Sequence, residues 1–527
     1  MESDILRFYR NKSVFVTGGT GFLGKVIVEK LLRSTDVRRV YLLIRPKKNE
    51  TVEGRFQAWK DEPVFEILLK AKPEALKLVT PISGDCSEPG LGLSDGDRRI
   101  VTTDVQVIIH SAASIRFVEP LHRALNINTR ATRLLIQLAK EMKGLEAFVH
   151  ISTAFSNCPS QHIEERFYPE HLSCPAAKVL EFNETLSADL VDNMAPALMG
   201  KFPNTYTYTK ALAEQVIQME AQDLPICIFR PAIILANFKE PMSGWIDNLH
   251  GIVALIYGNA HGILRLLYVN PKADALIVPG DYCANVALAS AWQVANHSET
   301  PTSSQLAAKK PPPIYTLATT KSNSITFGEA VKLGIDHNHK IPVTKTIWYP
   351  FAHFTTCPWL FKLGCIFYHL IPGFFFDLLL RIQGKKPILM RSYQKIHEAL
   401  LLLFPFNGIS YVMDMRNTNQ LWDSMSPEDR SIFPFDMATL NWEEYYKRIL
   451  SGMRVFLFKE SWDTLEYAKK RLFRFYLLHR FLQLVLCLAF AKFLWILYSL
   501  IVNYYFKSIE VNLPSPVVHL SSIESNI

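Results

Sequence analysis

Hydrophobic positions in the first 150 residues follow two alternating periods. Ser13 to Thr17 (SVFVT) is a β-branched and aromatic run that meets glycine at once, and Lys25 to Arg33 (KVIVEKLLR) follows with helical spacing. Further apolar runs at 40–44 (VYLLI), 78–82 (LVTPI), 105–109 (VQVII) and 147–151 (AFVHI) predict four more strands, with helical stretches between several of them, notably 128–142. Strands alternating with helices predict an α/β fold, a Rossmann-type doubly wound parallel sheet covered on both faces by helices. No repeat of constant period accompanies it.

Toward the C-terminus the pattern changes. Residues 299–313 read as a polar, proline-rich loop, and from about 345 aromatic residues crowd the chain, six of them between 348 and 361. Residues 363–376 (LGCIFYHLIPGFFF) carry no formal charge. Fourteen residues with Pro372 inside fall short of a spanning helix of ~20 residues, and predict an interfacial wedge or a buried core helix. Residues 481–506 are different, being 26 residues with the single charge Lys492. At ~1.5 Å per residue they can cross a ~30 Å hydrocarbon layer. Lys492 costs about 2.5 to 3.5 kcal/mol there, against about 0.3 to 0.6 returned by each Leu, Ile, Phe or Val. A span is expected, with an in-plane or hairpin anchor and a snorkelling Lys492 as the alternative.

The composition of the 527 residues, 49% hydrophobic and 20% charged, excludes wholesale disorder, and the apolar C-terminal third accounts for a mean hydropathy of +0.08. The net charge of +8 is spread along the chain until residues 469–480, so no nucleic-acid partner is expected. Lys469, Lys470, Arg471, Arg474 and Arg480 immediately precede the apolar segment, whereas Lys507 is the one basic residue after it. That asymmetry predicts a cytosolic face for the bulk of the chain. Eight cysteines without a C-x-x-C pair read as reduced thiols, and no metal is expected. The first residues, MESDILRFYRNK, show no secretory signal, and the closing ESNI is neither an SKL-type nor a KDEL-type address.

Between the first strand and helix lies TGGTGFLG, from Thr17 to Gly24, which fits G-x-G-x-x-G from Gly19 and G-x-x-G-x-x-G from Gly18. Glycines at such a strand-to-helix turn permit close approach of backbone to a pyrophosphate, so a dinucleotide is the expected ligand. An NAD site usually carries Asp or Glu at the end of the second strand. This chain has Arg45 there, with Lys47 and Lys48 behind it. A guanidinium suits a 2′-phosphate, which makes NADPH the expected cofactor. Downstream, Tyr206 and Lys210 in YTYTK lie one turn apart on one helix face, whereas Tyr208 has Leu212 four residues on. A phenol relays protons better when a nearby ammonium favours phenolate. Ser152 and Thr153 close the fifth strand, and either hydroxyl can steady a carbonyl oxygen in the cleft.

These motifs, with HSAA at 110–113, resemble the extended short-chain dehydrogenase/reductase superfamily. More narrowly, TGGTGFLGKVIVEKLLRS, SGDCSEPGLGLS, HSAASIRF, PNTYTYTKALAE, RPAIILANFKEPMSGWIDN and GKKPILMRSYQKIH resemble the eukaryotic, alcohol-forming fatty acyl-CoA reductases over most of residues 11–450. The resemblance implies that Thr153, Tyr206 and Lys210 form the hydroxyl, tyrosine and lysine triad, with Ser152 the alternative to Thr153. It implies that Gly18, Gly21, Phe22, Leu23 and Gly24 hold the pyrophosphate, that Arg45 meets the 2′-phosphate, that Asp85 lies near the adenine and that Lys210 orients the nicotinamide ribose. The implied activity is NADPH-dependent reduction of long-chain fatty acyl-CoA to a primary alcohol by two hydride transfers through an aldehyde. An acyl-chain wall then joins the readings of 363–376. The expected organisation is an NADPH-binding, catalytic Rossmann domain at 1–345, a mainly helical C-terminal reductase domain at 346–455, a basic linker at 456–480, a transmembrane segment at 481–506 and a tail at 507–527. Membrane lipid is the second expected partner, with the endoplasmic reticulum the default membrane and the peroxisome second. The rivals are an aldehyde-forming acyl-CoA reductase, a sugar-nucleotide epimerase or dehydratase, in which the apolar tail has no role, and a non-catalytic NADP-binding membrane protein, against which the intact Tyr206 and Lys210 stand.

Overall fold

The computed structural model describes residues 3–47, 50–298 and 311–511. Lys48, most of the proline-rich loop expected at 299–313, and residues 512–527 of the tail lie outside the described residues, as do the side chains of 507–511.

Seven strands form the central sheet: β1 (Ser13–Thr17), β2 (Arg39–Ile44), β3 (Val79–Ser83), β4 (Val107–His110), β5 (Ala147–Ile151), β6 (Ile226–Pro231) and β7 (Ile314–Leu317). Their order is β7-β6-β5-β4-β1-β2-β3, and every neighbouring pair is parallel. All five residues of β1 and all five of β5 are buried, Ser13, Thr17 and His150 included, as helices covering both faces require. On one face α1 (Phe22–Ser34) packs against α4 (Gly280–Ser298), and on the other α2 (Ala131–Glu141) packs against α3 (Thr205–Glu220). The strand order reverses between β1 and β4, which opens a crevice above the carboxyl ends of the strands.

The mainly helical C-terminal third is laced to this sheet. Residues 353–355 pair with 266–268, and residues 412–413 pair with 162–163. The Glu165 carboxylate accepts the backbone N–H groups of Thr316 on β7 and of Asn417, at 2.8 and 2.5 Å. The principal helices here are α5 (Pro358–Ile382), α6 (Leu389–Asn407), α7 (Trp442–Gly452) and α8 (Leu465–Val511).

Residues 363–376 correct the expectation drawn from their length. Pro372 does not end the helix there, and the charge-free run is the middle of the 25-residue α5. A proline ring clashes with the preceding turn of a regular α-helix. Here a wider π turn at Ile366–Leu370 precedes it, so Pro372 falls in the first turn of the stretch that resumes at Ile371. Nor is α5 a buried core helix, since Trp359, Phe367, Phe375 and Ile382 are exposed. Helix α8 runs 47 residues, about 70 Å, and contains 481–506 with its apolar side chains exposed. Among the described residues, α5 and α8 are the helices long and apolar enough to cross a membrane.

Candidate active site

The glycine turn is fixed by steric necessity. Gly18 has φ +73°, and a Cβ there would lie 2.5 Å from the backbone nitrogen of Ala112 after β4. A Cβ on Gly24 would lie 2.3 Å from the Gly18 carbonyl oxygen, so α1 can start this close to β1 with glycine alone. Gly21 is the N-cap of α1 and no side chain caps it. The first turn of α1 therefore presents its uncapped backbone donors, together with the positive end of the helix, to the crevice, an arrangement suited to a pyrophosphate. Gly18, Gly21, Phe22, Leu23 and Gly24 all line a cleft of about 510 Å³.

Tyr206 and Lys210 enter the same cleft from α3. Asn204 caps that helix by accepting the Thr207 N–H at 2.9 Å. Lys210 is buried and donates from Nζ to the Ile151 carbonyl at 2.7 Å. Its burial lowers the ammonium pKa to about 8, against an opposing pull from the Glu214 carboxylate. The neighbouring imidazoles of His110 and His150 are buried too, and desolvation followed by the Lys210 charge keeps them neutral. Tyr206 has Thr153 as its hydrogen-bonding partner, yet burial dominates and pushes its phenol up to about 12. The lowering expected from Lys210 is not found in the protein alone, where burial and the Thr153 hydrogen bond set the shift, and the phenol stays protonated at neutral pH.

Ser152 and Thr153 are separated by a feature that sequence reading missed. Glu214, one turn beyond Lys210, is buried and accepts Ser152 Oγ at 2.6 Å, Ser156 Oγ at 2.8 Å and Arg230 Nε at 3.0 Å on one oxygen. Its other oxygen accepts Asn157 Nδ2 at 3.2 Å and the Arg230 guanidinium at 2.7 Å. Ser152 is committed to this network, while Thr153 faces Tyr206. The signal was present in ALAE, since a carboxylate four residues beyond Lys210 falls on the same buried face.

The cleft continues past the glycine turn into a second compartment of about 480 Å³, which shares Gly18, Gly21, Ser111 and His250 with it and ends at Arg45, Arg55 and Asp85. Arg45 Nε lies 3.7 Å from the Asp85 carboxylate, which also accepts the Ser87 N–H and hydroxyl. Arg55, which no motif or spacing singles out, comes from a helix that folds back over the end of β2, and its guanidinium donates to the Arg45 carbonyl. At the opposite end, Phe117 stacks near Tyr206 with ring centroids 6.0 Å apart, and Phe406 of α6 closes over Phe117 and Phe155 at 5.4 and 5.3 Å.

A NAD-binding family model described as "Male sterility protein" matches residues 16–287, and a second model of the same description matches residues 368–460. Among curated proteins, "Fatty acyl-CoA reductase wat" of Drosophila melanogaster is 39% identical over 503 residues, covering 95% of this chain and 94% of its own. The chain belongs to the fatty acyl-CoA reductase family. "Fatty acyl-CoA reductase 1" of Homo sapiens is 35% identical over 469 residues, covering 89% of each. Two solved structures share the fold of this reductase: the terminal R domain of the myxalamid PKS-NRPS pathway (TM-score 0.54, 18% identity, 84% of this chain and 91% of that one) and the reductase domain of a nonribosomal peptide synthetase from Mycobacterium tuberculosis (0.54, 18%, 86% and 96%). The reductase is an oxidoreductase with a nicotinamide cofactor.

The two adjacent hydroxyls make separable predictions. Thr153→Ala should lower turnover by roughly 10²- to 10³-fold and leave the thermal midpoint unchanged. Ser152→Ala leaves Glu214 one donor short and should cost about 1 to 3 kcal/mol of stability with a smaller loss of turnover. Steady-state kinetics and thermal unfolding of the detergent-solubilised reductase measure both, and a reversed pattern would exchange their roles.

Proposed function

We infer that this reductase converts a long-chain fatty acyl-CoA into a primary alcohol and coenzyme A, with NADPH as reductant. One observation carries the reading: a single groove runs from Thr153, Tyr206 and Lys210 past the glycine turn to the guanidinium groups of Arg45 and Arg55. Two cations suit a 2′-phosphate, and a guanidinium offers no acceptor to a ribose diol. The first turn of α1, from Phe22 to Gly24, would hold the pyrophosphate, Arg45 and Arg55 the 2′-phosphate, and Asp85 would border the adenine.

Bound in this groove, the nicotinamide supplies a hydride to the carbonyl carbon, first of the thioester and then of the aldehyde. The protein's own part is control of charge and protons. Thr153 Oγ and Tyr206 Oη donate hydrogen bonds to the carbonyl oxygen as negative charge collects on it, and such preorganised donors act most strongly in a site shielded from water. The tetrahedral alkoxide then re-forms its C=O bond as the C–S bond breaks, and coenzyme A leaves as the thiolate, which takes a proton from water. In the second reduction Tyr206 Oη gives its proton to the alkoxide, which it can do because burial keeps the phenol protonated. Lys210, fixed to the Ile151 carbonyl, orients the nicotinamide ribose and holds its charge below about pH 8.

Residues 1–345 and 346–455 act as the cofactor-binding and C-terminal reductase domains. The basic linker meets the cytosolic headgroups, 481–506 spans once, and the tail crosses to the far side, in the endoplasmic reticulum first and the peroxisomal membrane second. The Lys and Arg excess at 469–480 supports this orientation.

Arg45→Asp should raise KM for NADPH and lower it for NADH, because it replaces a phosphate partner with a repelling charge and a diol acceptor. Parallel KM measurements check it, and a wild-type preference for NADH would remove Arg45 from this role. Tyr206→Phe should abolish reduction with NADPH binding retained, since the ring still packs while the proton donor is gone. Tyr208→Phe is the control. The Tyr208 hydroxyl is buried with no hydrogen-bond partner among the described residues, so its removal should leave activity intact.

A further inference from the structure

Helix α5 is apolar enough to span a bilayer, but its fastening argues against that. Phe361, Cys365, His369, Gly373 and Asp377 recur every fourth position and are buried against the protein body. Phe361 stacks on Tyr268 at 4.8 Å, and His369 Nε2 accepts the backbone N–H groups of Arg265 and Leu266 at 3.1 and 3.3 Å. A Cβ on Gly373 would lie 2.7 Å from the Tyr393 ring. The Asp377 carboxylate accepts the N–H groups of Ile388, Leu389 and Met390, at 3.0, 2.9 and 3.0 Å, and so caps α6. Cys365, His369 and His397 cluster like metal ligands. However, the two donors at His369 Nε2 put its proton on Nδ1, which points at His397 Nε2 at 2.9 Å and has no lone pair for a metal. The cluster is a clasp within the stripe. A helix held along its length in this way cannot cross a bilayer without drawing the folded body in with it.

The other face of α5 is uncovered. Trp359, Phe367, Phe374, Phe375, Leu379 and Ile382 are each more than half exposed, from 53% to 82%. A contiguous apolar face of this kind marks an interaction site on a soluble body. Two observations identify its occupant. First, α5, the following turn and the start of α6 carry the exposed cations Lys362, Arg381, Lys385, Lys386, Arg391 and Lys395, while the acids among residues 358–398 are Asp377, already committed to three N–H groups, and Glu398. Second, α5 and α8 meet in one aromatic cluster. Tyr368 of α5 lies against Phe351 and His353, and Phe351 stacks on His479 of α8, two residues before the apolar segment at 481–506.

We propose that α5 lies in the plane of an anionic phospholipid leaflet, as a second membrane contact beside the α8 anchor, with its apolar face in the acyl boundary and its cations at the headgroups. Helix α6 starts at the Asp377 clasp and ends with Phe406 packed on Phe117 and Phe155, which line the catalytic cleft, so a 19-residue helix joins the leaflet contact to the wall of the site. The leaflet contact is independent of the catalytic reading. Only its use, bringing the cleft to the surface where an acyl chain partitions, rests on that reading.

The test uses the full chain with the exposed Cys357 and Cys487 replaced by serine, and with Phe374→Cys or Leu379→Cys carrying a polarity-sensitive fluorophore. The protein is reconstituted in phosphatidylcholine vesicles containing phosphatidylserine and a nitroxide lipid, labelled either near the headgroup or near the bilayer centre. Both positions should lose fluorescence to the shallow nitroxide and keep it with the deep one, while a label at Leu190→Cys, exposed on the Rossmann body, should lose it to neither. Stronger quenching by the deep nitroxide would make α5 a span and overturn the proposal. No quenching at either position would overturn it too, placing the face in water or against a second copy of the chain. NADPH binding by the same samples reports on folding, so an inactive enzyme that binds lipid as described would count against the catalytic reading alone.

Discussion

The catalytic face depends on one buried carboxylate. Glu214 sits on the helix that carries Tyr206 and Lys210, and its side chain joins that helix to the ends of β5 and β6 through Ser152, Ser156, Asn157 and Arg230. Both partners of the Glu214–Arg230 pair are buried, the guanidinium fully so. Such a pair is stabilising only when its remaining hydrogen-bonding capacity is filled, and removing one partner typically costs about 3 to 5 kcal/mol. Here the capacity is filled, because Arg230 also donates to the carbonyls of Glu164 and Arg166 at 2.9 Å each. The network sets the register of α3 on β5. One turn from Glu214, Lys210 reaches the Ile151 carbonyl, and two turns from it Tyr206 comes to rest beside Thr153. The same carboxylate offsets part of the desolvation that draws the Lys210 pKa down.

How far each feature was legible in the sequence follows from the range of the interactions that fix it. β1 and β5 were visible as short, mainly apolar runs because a parallel strand covered on both faces lacks the polar alternation of a solvated one. The glycine turn and the Tyr206–Lys210 pair were visible because local geometry alone determines them. Ser152 and Thr153 were not separable, since adjacent residues at a strand end point to opposite sides and only the position of Glu214 shows which side is engaged. Arg55 reaches the cofactor groove only after its helix folds back over β2. Phe406 lies 200 residues from Tyr206 along the chain and meets its neighbourhood through tertiary packing. Pro372 looked like a helix end because the rule for proline assumes regular α geometry, and a π turn supplies a different one.

On the proposed reading the molecule divides its work between a water-facing body and the exposed apolar faces of α5 and α8. The seven-stranded sheet provides the groove for a charged cofactor, whereas the C-terminal third provides exposed apolar helices and Phe406, which backs the Phe117 and Phe155 rings that line the cleft. An acyl-CoA is itself divided in this way, with a phosphorylated nucleotide head and a hydrocarbon tail. A site at the junction of the two surfaces can take the head from water without drawing the tail far from lipid.

In the proposed mechanism one cleft, with one proton donor, performs both reductions. Counting NADPH oxidised against coenzyme A released by the purified full-length reductase tests this most directly, with a hydrazine present in parallel samples to capture free aldehyde. The account predicts two NADPH per coenzyme A and little trapped aldehyde. A ratio of one, with the aldehyde captured quantitatively, would contradict it.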